Sequence, residues 1–228
     1  MIITIDGMIA TGKSTIAKKL AKELGYIFFD TGAMYRCFTF LCLKRNVNLE
    51  DKAQILEAIN HFKFNIKFQH GEKHYLVDSE DVSEIIRGAG VTSLVSQVAT
   101  IPEVREKLVG IQRQWAVGVN AIFEGRDMGT VVFPKAELKI FLTGRPEVRA
   151  TRRLAELKTR FPEEMKDLTL DQALEDINRR DVIDSTREIS PLKKADDAFA
   201  IDTSELTPDE IVMKILECKD SLKGRKSS

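Results

Sequence analysis

The chain has 228 residues, 43% of them hydrophobic and 31% charged, with 35 Lys and Arg balanced by 35 Asp and Glu. That length buries a sizeable core in one or two domains. The zero net charge excludes long-range attraction to nucleic acid or an anionic membrane as the main theme, so any basic site is local.

Residues 1–5 are an apolar run that stops at Asp6-Gly7, as expected for a central strand buried on both faces. No basic leader precedes it, which argues against a signal peptide. The segment Gly7-Met8-Ile9-Ala10-Thr11-Gly12-Lys13-Ser14 fits G-x-x-x-x-G-K-[ST], with Thr15 completing it. Two glycines let the backbone curl until its amides point inward at a phosphate, and the following helix adds its positive N-terminal end. Lys13 then reaches the β- and γ-phosphates, and the Ser14 hydroxyl is placed to bind Mg²⁺. From residue 14 to residue 24, Ile16, Ala17, Leu20, Ala21 and Leu24 keep helical spacing, and Gly25 reads as a C-cap. Residues 26–29 read as the next strand. Strand, loop, helix and strand in that order predict a parallel sheet with a right-handed crossover.

Alternation at Phe64, Ile66 and Phe68, a break at His70-Gly71-Glu72, and alternation again at Tyr75 and Val77 predict a hairpin within residues 62–82. Helical periodicity returns at 91–99 and 102–115, and residues 119–123 and 138–142 read as sheet strands. An Arg-rich helix over 146–157 leads into a polar stretch, 158–167, that reads as a mobile cover. A helix over 170–181, a last strand over 198–201, a final helix near Pro208 and a frayed tail from Gly224 complete the chain. Cys37, Cys42 and Cys218 form neither an even disulfide set nor a metal-ligand spacing; they suit the reduced cytosol as small buried hydrophobes. No segment has the ~18 apolar residues of a membrane span.

Three further groups carry candidate ligands, the first two at carboxyl ends of strands, where ligands of parallel sheets bind. In the first, 30–36, Arg36 either grips an acceptor phosphate or lies on the surface of a helix capped by Asp30 or Thr31. In the second, Glu124-Gly125-Arg126-Asp127, Glu124 suits Mg²⁺ through water and Arg126 the transferred group. Asp127 suits an exocyclic amine such as N4 of cytosine; the plainer reading is an ordinary loop. In the third, Arg180, Asp184 and Arg187 share a helix face at i, i+4 and i+7, either as ligands or as an exposed ion-pair ladder. Arg149, Arg152 and Arg153 either clamp a triphosphate when the cover closes or form a solvated basic face.

Taken together these stretches resemble bacterial cytidylate kinases from residue 3 to about residue 212. The match is carried by Ile5-Asp6-Gly7, Gly12-Lys13-Ser14, residues 30–36, Ser96-Gln97-Val98-Ala99, Val104-Arg105, GRDMGTVVFP at 125–134, residues 138–142 and 180–187, Ser190-Pro191-Leu192 and Ile201-Asp202-Thr203-Ser204. The resemblance implies an α/β P-loop kinase fold: three layers, a central parallel sheet, a small β-containing insertion that binds the acceptor nucleotide, and a helical lid. It places the core at about 1–60, 88–150 and 170–222, the insertion at 61–87 and the lid at 151–169, all within one kinase domain. It further implies phosphoryl transfer from ATP to CMP or dCMP with Mg²⁺, in a cytoplasmic, monomeric enzyme of pyrimidine nucleotide metabolism that has no nucleic-acid or membrane partner. Lys13, Arg126, Arg149 and Arg153 are the expected catalytic cations, and residues 7–15 the expected ATP loop. Ser96, Arg105 and Asp127 are expected at cytosine, Arg180 and Asp184 at the ribose, and Arg36, Arg126 and Arg187 at the acceptor phosphate, with Thr31 nearby. Ser14 and Glu124 are the expected Mg²⁺ ligands. One departure stands out: Met8 and Ala10 replace a proline and a glycine usual in the family's loop, and Ala10 resists positive φ. Rival expectations are a UMP, dTMP or metabolite kinase, or a GTP switch; the absence of an N-K-x-D motif speaks against the switch.

Overall fold

The computed structural model describes residues 1–69 and 72–225; His70 and Gly71 of the expected hairpin and residues 226–228 of the expected tail lie outside the described residues. Contacts divide the chain into two compact units, one made of Met1–Phe29 with Ala116–Ser228 and the other of Asp30–Trp115.

The first unit begins with β1 (Ile2–Gly7), α1 (Lys13–Leu24) and β2 (Ile27–Asp30), whose last residue opens the second unit. The second unit contains α2 (Thr31–Lys44), α3 (Lys52–Asn60), β3 (Phe64–Gln69), β4 (Glu72–Val77), β5 (Glu80–Asp81), α4 (Ala89–Val98) and α5 (Pro102–Trp115). The chain returns to the first unit with β6 (Ala121–Gly125), β7 (Leu138–Thr143), α6 (Pro146–Arg160), α7 (Leu170–Thr186), β8 (Phe199–Asp202) and α8 (Pro208–Arg225).

In the first unit the strands form a five-stranded sheet in the order β2-β6-β1-β7-β8, a P-loop α/β arrangement with β1 at the centre. Its neighbours β6 and β7 both run parallel to it, and Ile3 and Ile5 are fully buried, which explains why β1 reads as an unbroken apolar run. Ile16 and Leu20 of α1 pack with these residues, Ile140, Leu142 and Ile215 in one core. Registers Asp6↔Gly125 and Gly7↔Leu142 bring the ends of three strands to one edge. The phosphate loop and the 124–127 turn therefore emerge side by side.

The second unit has its own core, built from Phe38, Leu41, Ile59, Val82, Ile86, Val104 and Leu108 among others. β3 and β4 pair antiparallel from Phe64↔Val77 to Gln69↔Glu72, as the alternation predicts, and β5 adds a short third strand. Of α2 the sequence marks only the start, a helix capped by Asp30 or Thr31 and carrying Arg36, and α3 is unmarked. α2 buries residues on every side, so it lacks the amphipathic stripe that marks a surface helix. Its N-cap is Asp30, whose side chain accepts from the Ala33 amide, and Arg36 lies in its second turn. Cys37 and Cys42 are buried there; Cys218, expected to be buried too, is half-exposed.

Three helices run past the ends expected from the sequence. α6 extends to Arg160, three residues into the expected cover. α7 extends to Thr186, so Asp184 is helical while Arg187 becomes the C-cap with ψ 140°. α8 continues past Gly224 to Arg225. Residues Met128–Val132, to which the sequence reading assigned no element, form a wide helical turn.

The loop geometry explains its glycines. A Cβ on Gly7 would sit 2.2 Å from the Leu142 carbonyl oxygen, and Gly12 has φ 85°. Ala10 has φ 59°, so it occupies the left-handed region where a Cβ is strained. Ala10→Gly should therefore raise stability by about 0.5–1 kcal/mol, the relief exceeding the extra freedom of the unfolded chain. Urea unfolding measures this, and a loss of stability would contradict the left-handed assignment.

Candidate active site

The phosphate loop is tied down from within. Lys13 is 7% exposed, and its Nζ donates to the Met8 carbonyl at 2.6 Å. The Thr11 hydroxyl donates to the same carbonyl at 3.0 Å. Burial, then the Arg126 guanidinium, pull the Lys13 ammonium down to about 7, against the opposing pull of Glu124, Asp184 and Asp181. Ser14 and Thr15 face outward on the first turn of α1, whose N-cap Gly12 offers no side chain to its amides.

The 124–127 turn is anchored by a residue the sequence reading passed over. Asp6 Oδ1 accepts from the Met128 amide at 2.8 Å, and Oδ2 accepts from the Gly129 amide at 2.7 Å. Burial pushes the Asp6 carboxyl up to about 6 despite these donors, so it is ionised at neutral pH. The signal was present in the sequence, as a carboxylate closing an apolar strand directly before Gly7. Beside this anchor, Glu124 and Asp127 are 4% and 2% exposed. Arg126 Nε donates to Asp184 Oδ2 at 2.7 Å, and Arg187 lies 3.7 Å from Asp127 and 4.0 Å from Asp184. The structure thus joins the second and third sequence groups in one network, in which Asp127, Asp184 and Arg187 are buried and Arg126 is half-buried. The charges can stay there because each sign meets the other.

The arginines of α6 part company. Arg149 Nη1 contacts Asp181 Oδ2 at 2.5 Å and the Ile9 carbonyl at 3.1 Å, which brings it to the phosphate loop. Arg152 turns to Thr203, and Arg153 pairs with Glu156 at 3.0 Å. Burial first, and then the nearby Arg153 guanidinium, lowers the basicity of Arg180, against the opposing pull of Asp176, with which it pairs at 3.1 Å.

In the second unit, Arg36 Nη1 donates to the Ile86 carbonyl at 3.0 Å and to Thr92 Oγ1 at 2.8 Å. Arg105, 3% exposed, donates to the Ala99 carbonyl at 3.1 Å and stands over the Tyr35 ring at 5.5 Å. Thr31 is buried in the first turn of α2, and Ser96 is half-buried on α4. Arg87 binds Asp30 Oδ2 at 2.7 Å. Burial of Asp30 favours the neutral acid, but the Arg87 guanidinium prevails and holds the carboxyl below its ordinary value. Nothing local marked Arg87 in the sequence, because its partner lies 57 residues away.

The chain matches the cytidylate kinase family over residues 3–221. The chain belongs to the cytidylate kinase family. A cytidylate kinase of Protochlamydia amoebophila is 62% identical over 228 residues, covering 100% of both chains. One from Caldicellulosiruptor saccharolyticus is 47% identical over 215 residues, 94% of this chain and 93% of its own. Among solved structures, an uncharacterized protein from Eubacterium ventriosum shares the fold with a TM-score of 0.53 at 14% identity, covering 97% of this chain and 98% of its own.

Kinases of this kind imply a divalent metal, and the donors fit one. The Ser14 hydroxyl and the Glu124 carboxylate offer two oxygens, the sparse hard set that Mg²⁺ accepts when substrate phosphates and water complete its octahedron.

Two outcomes are expected. Asp6→Asn leaves one amide facing an NH₂ group and should destabilise the fold by about 1–3 kcal/mol, with a fall in the protection of the Met128 and Gly129 amides from exchange. Lys13 has a folded pKa below its unfolded value, so charging it opposes folding and that penalty disappears as pH rises from about 7 towards 10.5. Lys13→Met should accordingly gain stability over the parent at pH 6.5, and the gap should narrow at pH 9.5. A gap that does not change with pH would remove the depressed ammonium.

Proposed function

We propose that this chain transfers the γ-phosphoryl group of ATP to CMP or dCMP, giving ADP and CDP or dCDP, as a cytoplasmic monomer in pyrimidine nucleotide supply. The observation that carries the reading is a buried carboxylate, Asp127, held 3.7 Å from Arg187 beside a phosphate loop in a chain of this family.

On the donor side, the loop Gly7, Met8, Ile9, Ala10, Thr11, Gly12, Lys13, Ser14 and Thr15 wraps the ATP phosphates, with inward amides and the start of α1 supplying positive potential. Lys13 leaves the Met8 carbonyl for the β- and γ-oxygens. Ser14, and Glu124 through water, would hold Mg²⁺, which would supply neutralisation of charge on the donor phosphates. On the acceptor side, Asp127 accepts a hydrogen bond from the cytosine N4 amine, where uracil and thymine present a carbonyl. Ser96 and Arg105 meet the rest of the ring, Arg180 and Asp184 the ribose hydroxyls, and Arg36, Arg126 and Arg187 the acceptor phosphate near Thr31.

Chemistry is then in-line transfer. An acceptor phosphate oxygen forms its bond to the γ-phosphorus as the bond to the β–γ bridging oxygen breaks, and ADP leaves with the electron pair. The attacking oxygen is already anionic, so no general base is required. Lys13, Arg126, Arg149 and Arg153 stabilise charge as it shifts from donor to acceptor. Arg153 turns away from Glu156 to do so. The working division is a core of residues 1–60, 88–150 and 170–222, an acceptor-binding insertion at 61–87, and a lid at 151–169 whose closure excludes water.

The test is ADP release from ATP and Mg²⁺ with CMP, dCMP, UMP, dTMP, AMP or no acceptor. CMP and dCMP should stimulate it well above the others; equal release without acceptor would overturn the kinase reading. Asp127→Ala should raise KM for CMP roughly 10- to 100-fold and flatten the preference among pyrimidine nucleotides.

A further inference from the structure

The amides of a phosphate loop face inward for an anion, and here one of them already holds one. The Ile9 amide donates to Asp181 Oδ1 at 3.2 Å. The other oxygen of that carboxylate, Oδ2, takes Arg149 Nη1 at 2.5 Å. The same Nη1 reaches the Ile9 carbonyl at 3.1 Å, so carboxylate, guanidinium and loop peptide close a ring of contacts. One loop amide and one guanidinium are the donors that a phosphate oxygen takes at such a loop. The carboxylate comes from α7, 172 residues along the chain from Ile9, and its side chain is only 15% exposed.

Arg149 does not depend on this contact to stay in place. Its Nε donates to the Gly144 carbonyl at 2.9 Å, and its side chain is 3% exposed. What Asp181 supplies is charge: Lys13 and Arg126 bear on one another across this edge, and Asp181 favours the charged form of both.

We propose that Asp181 is an internal stand-in for a donor-nucleotide phosphate: its carboxylate and the phosphate compete for the Ile9 amide and Arg149, and nucleotide binding displaces it. This rests on the loop being the donor-phosphate site. The stand-in keeps Arg149 and the curled loop compensated until phosphate arrives. It also weakens nucleotide binding, because apparent affinity is intrinsic affinity multiplied by the fraction of time the seat is open. A carboxylate seated about nine-tenths of the time weakens binding about tenfold. A residue that merely braced the loop would have the opposite effect, since its loss would loosen the site and weaken binding.

That difference in sign is the test. Titration calorimetry with ADP and with inorganic pyrophosphate compares the full-length parent with Asp181→Asn, which keeps the shape and removes the charge, and with Asp181→Ala. Both variants should bind both ligands more tightly, by roughly fivefold or more, while binding of adenosine, which carries no phosphate, stays unchanged. In turnover, KM for ATP should fall and kcat should not rise. Asp181→Glu, which retains the charge, should not gain affinity. Unchanged or weaker pyrophosphate binding by folded Asp181→Asn overturns the stand-in. Should Asp181→Ala fail to fold, the isosteric variant decides alone. A parent protein that binds neither ADP nor pyrophosphate would instead remove the donor-site reading itself.

Discussion

The architecture of the first unit turns on one close approach. Gly7 runs so near the Leu142 carbonyl that no side chain fits between them, and this lets β1 end flush with β7 while β6 ends on its other side. Three parallel strands terminating together leave a shelf at their carboxyl ends. The loop after β1, the turn after β6 and the arginine-bearing helix after β7 all start from that shelf, so their polar residues converge without long excursions of chain.

Convergence of this kind concentrates charge, and the fold answers by pairing rather than by exposure. Arg126 lies on Asp184, Arg187 beside Asp127 and Arg149 on Asp181, with Glu124 and Lys13 among them. An isolated ion at such burial would be very costly, whereas alternating signs within hydrogen-bonding range make the cluster tolerable. The arrangement is closer to a preorganised electrostatic surface than to a stabilising device. Asp6 contributes from below, fixing two amides of the turn on which Arg126 and Asp127 stand.

How much of this the sequence discloses depends on the range of the interaction. β1, α1 and the loop between them were legible because apolar run, glycine spacing and helical periodicity all act within a few residues. The β3–β4 hairpin was legible for the same reason. Of α2 only the capped start was legible, because its partners surround it and its sequence carries no single apolar face. The end of α7 was misjudged by five residues, since Val182 and Ile183 continue a pattern whose stop at Arg187 carries neither glycine nor proline. Within the site, residue types at strand ends were readable, but pairings were not. That Arg149 would find Asp181 depends on how α6 and α7 pack, which sequence spacing on either helix does not contain, whereas Arg153 with Glu156 is an i, i+3 pair within α6.

The depressed basicity of Lys13 has a thermodynamic corollary. At neutral pH its amine is only partly protonated, and a triphosphate brought to it favours the ammonium. Donor binding therefore draws a proton from solution, and the observed heat of binding carries the ionisation enthalpy of whichever buffer supplies that proton. Measured in two buffers, the same association would give two different enthalpies, and the slope between them would count the protons taken up.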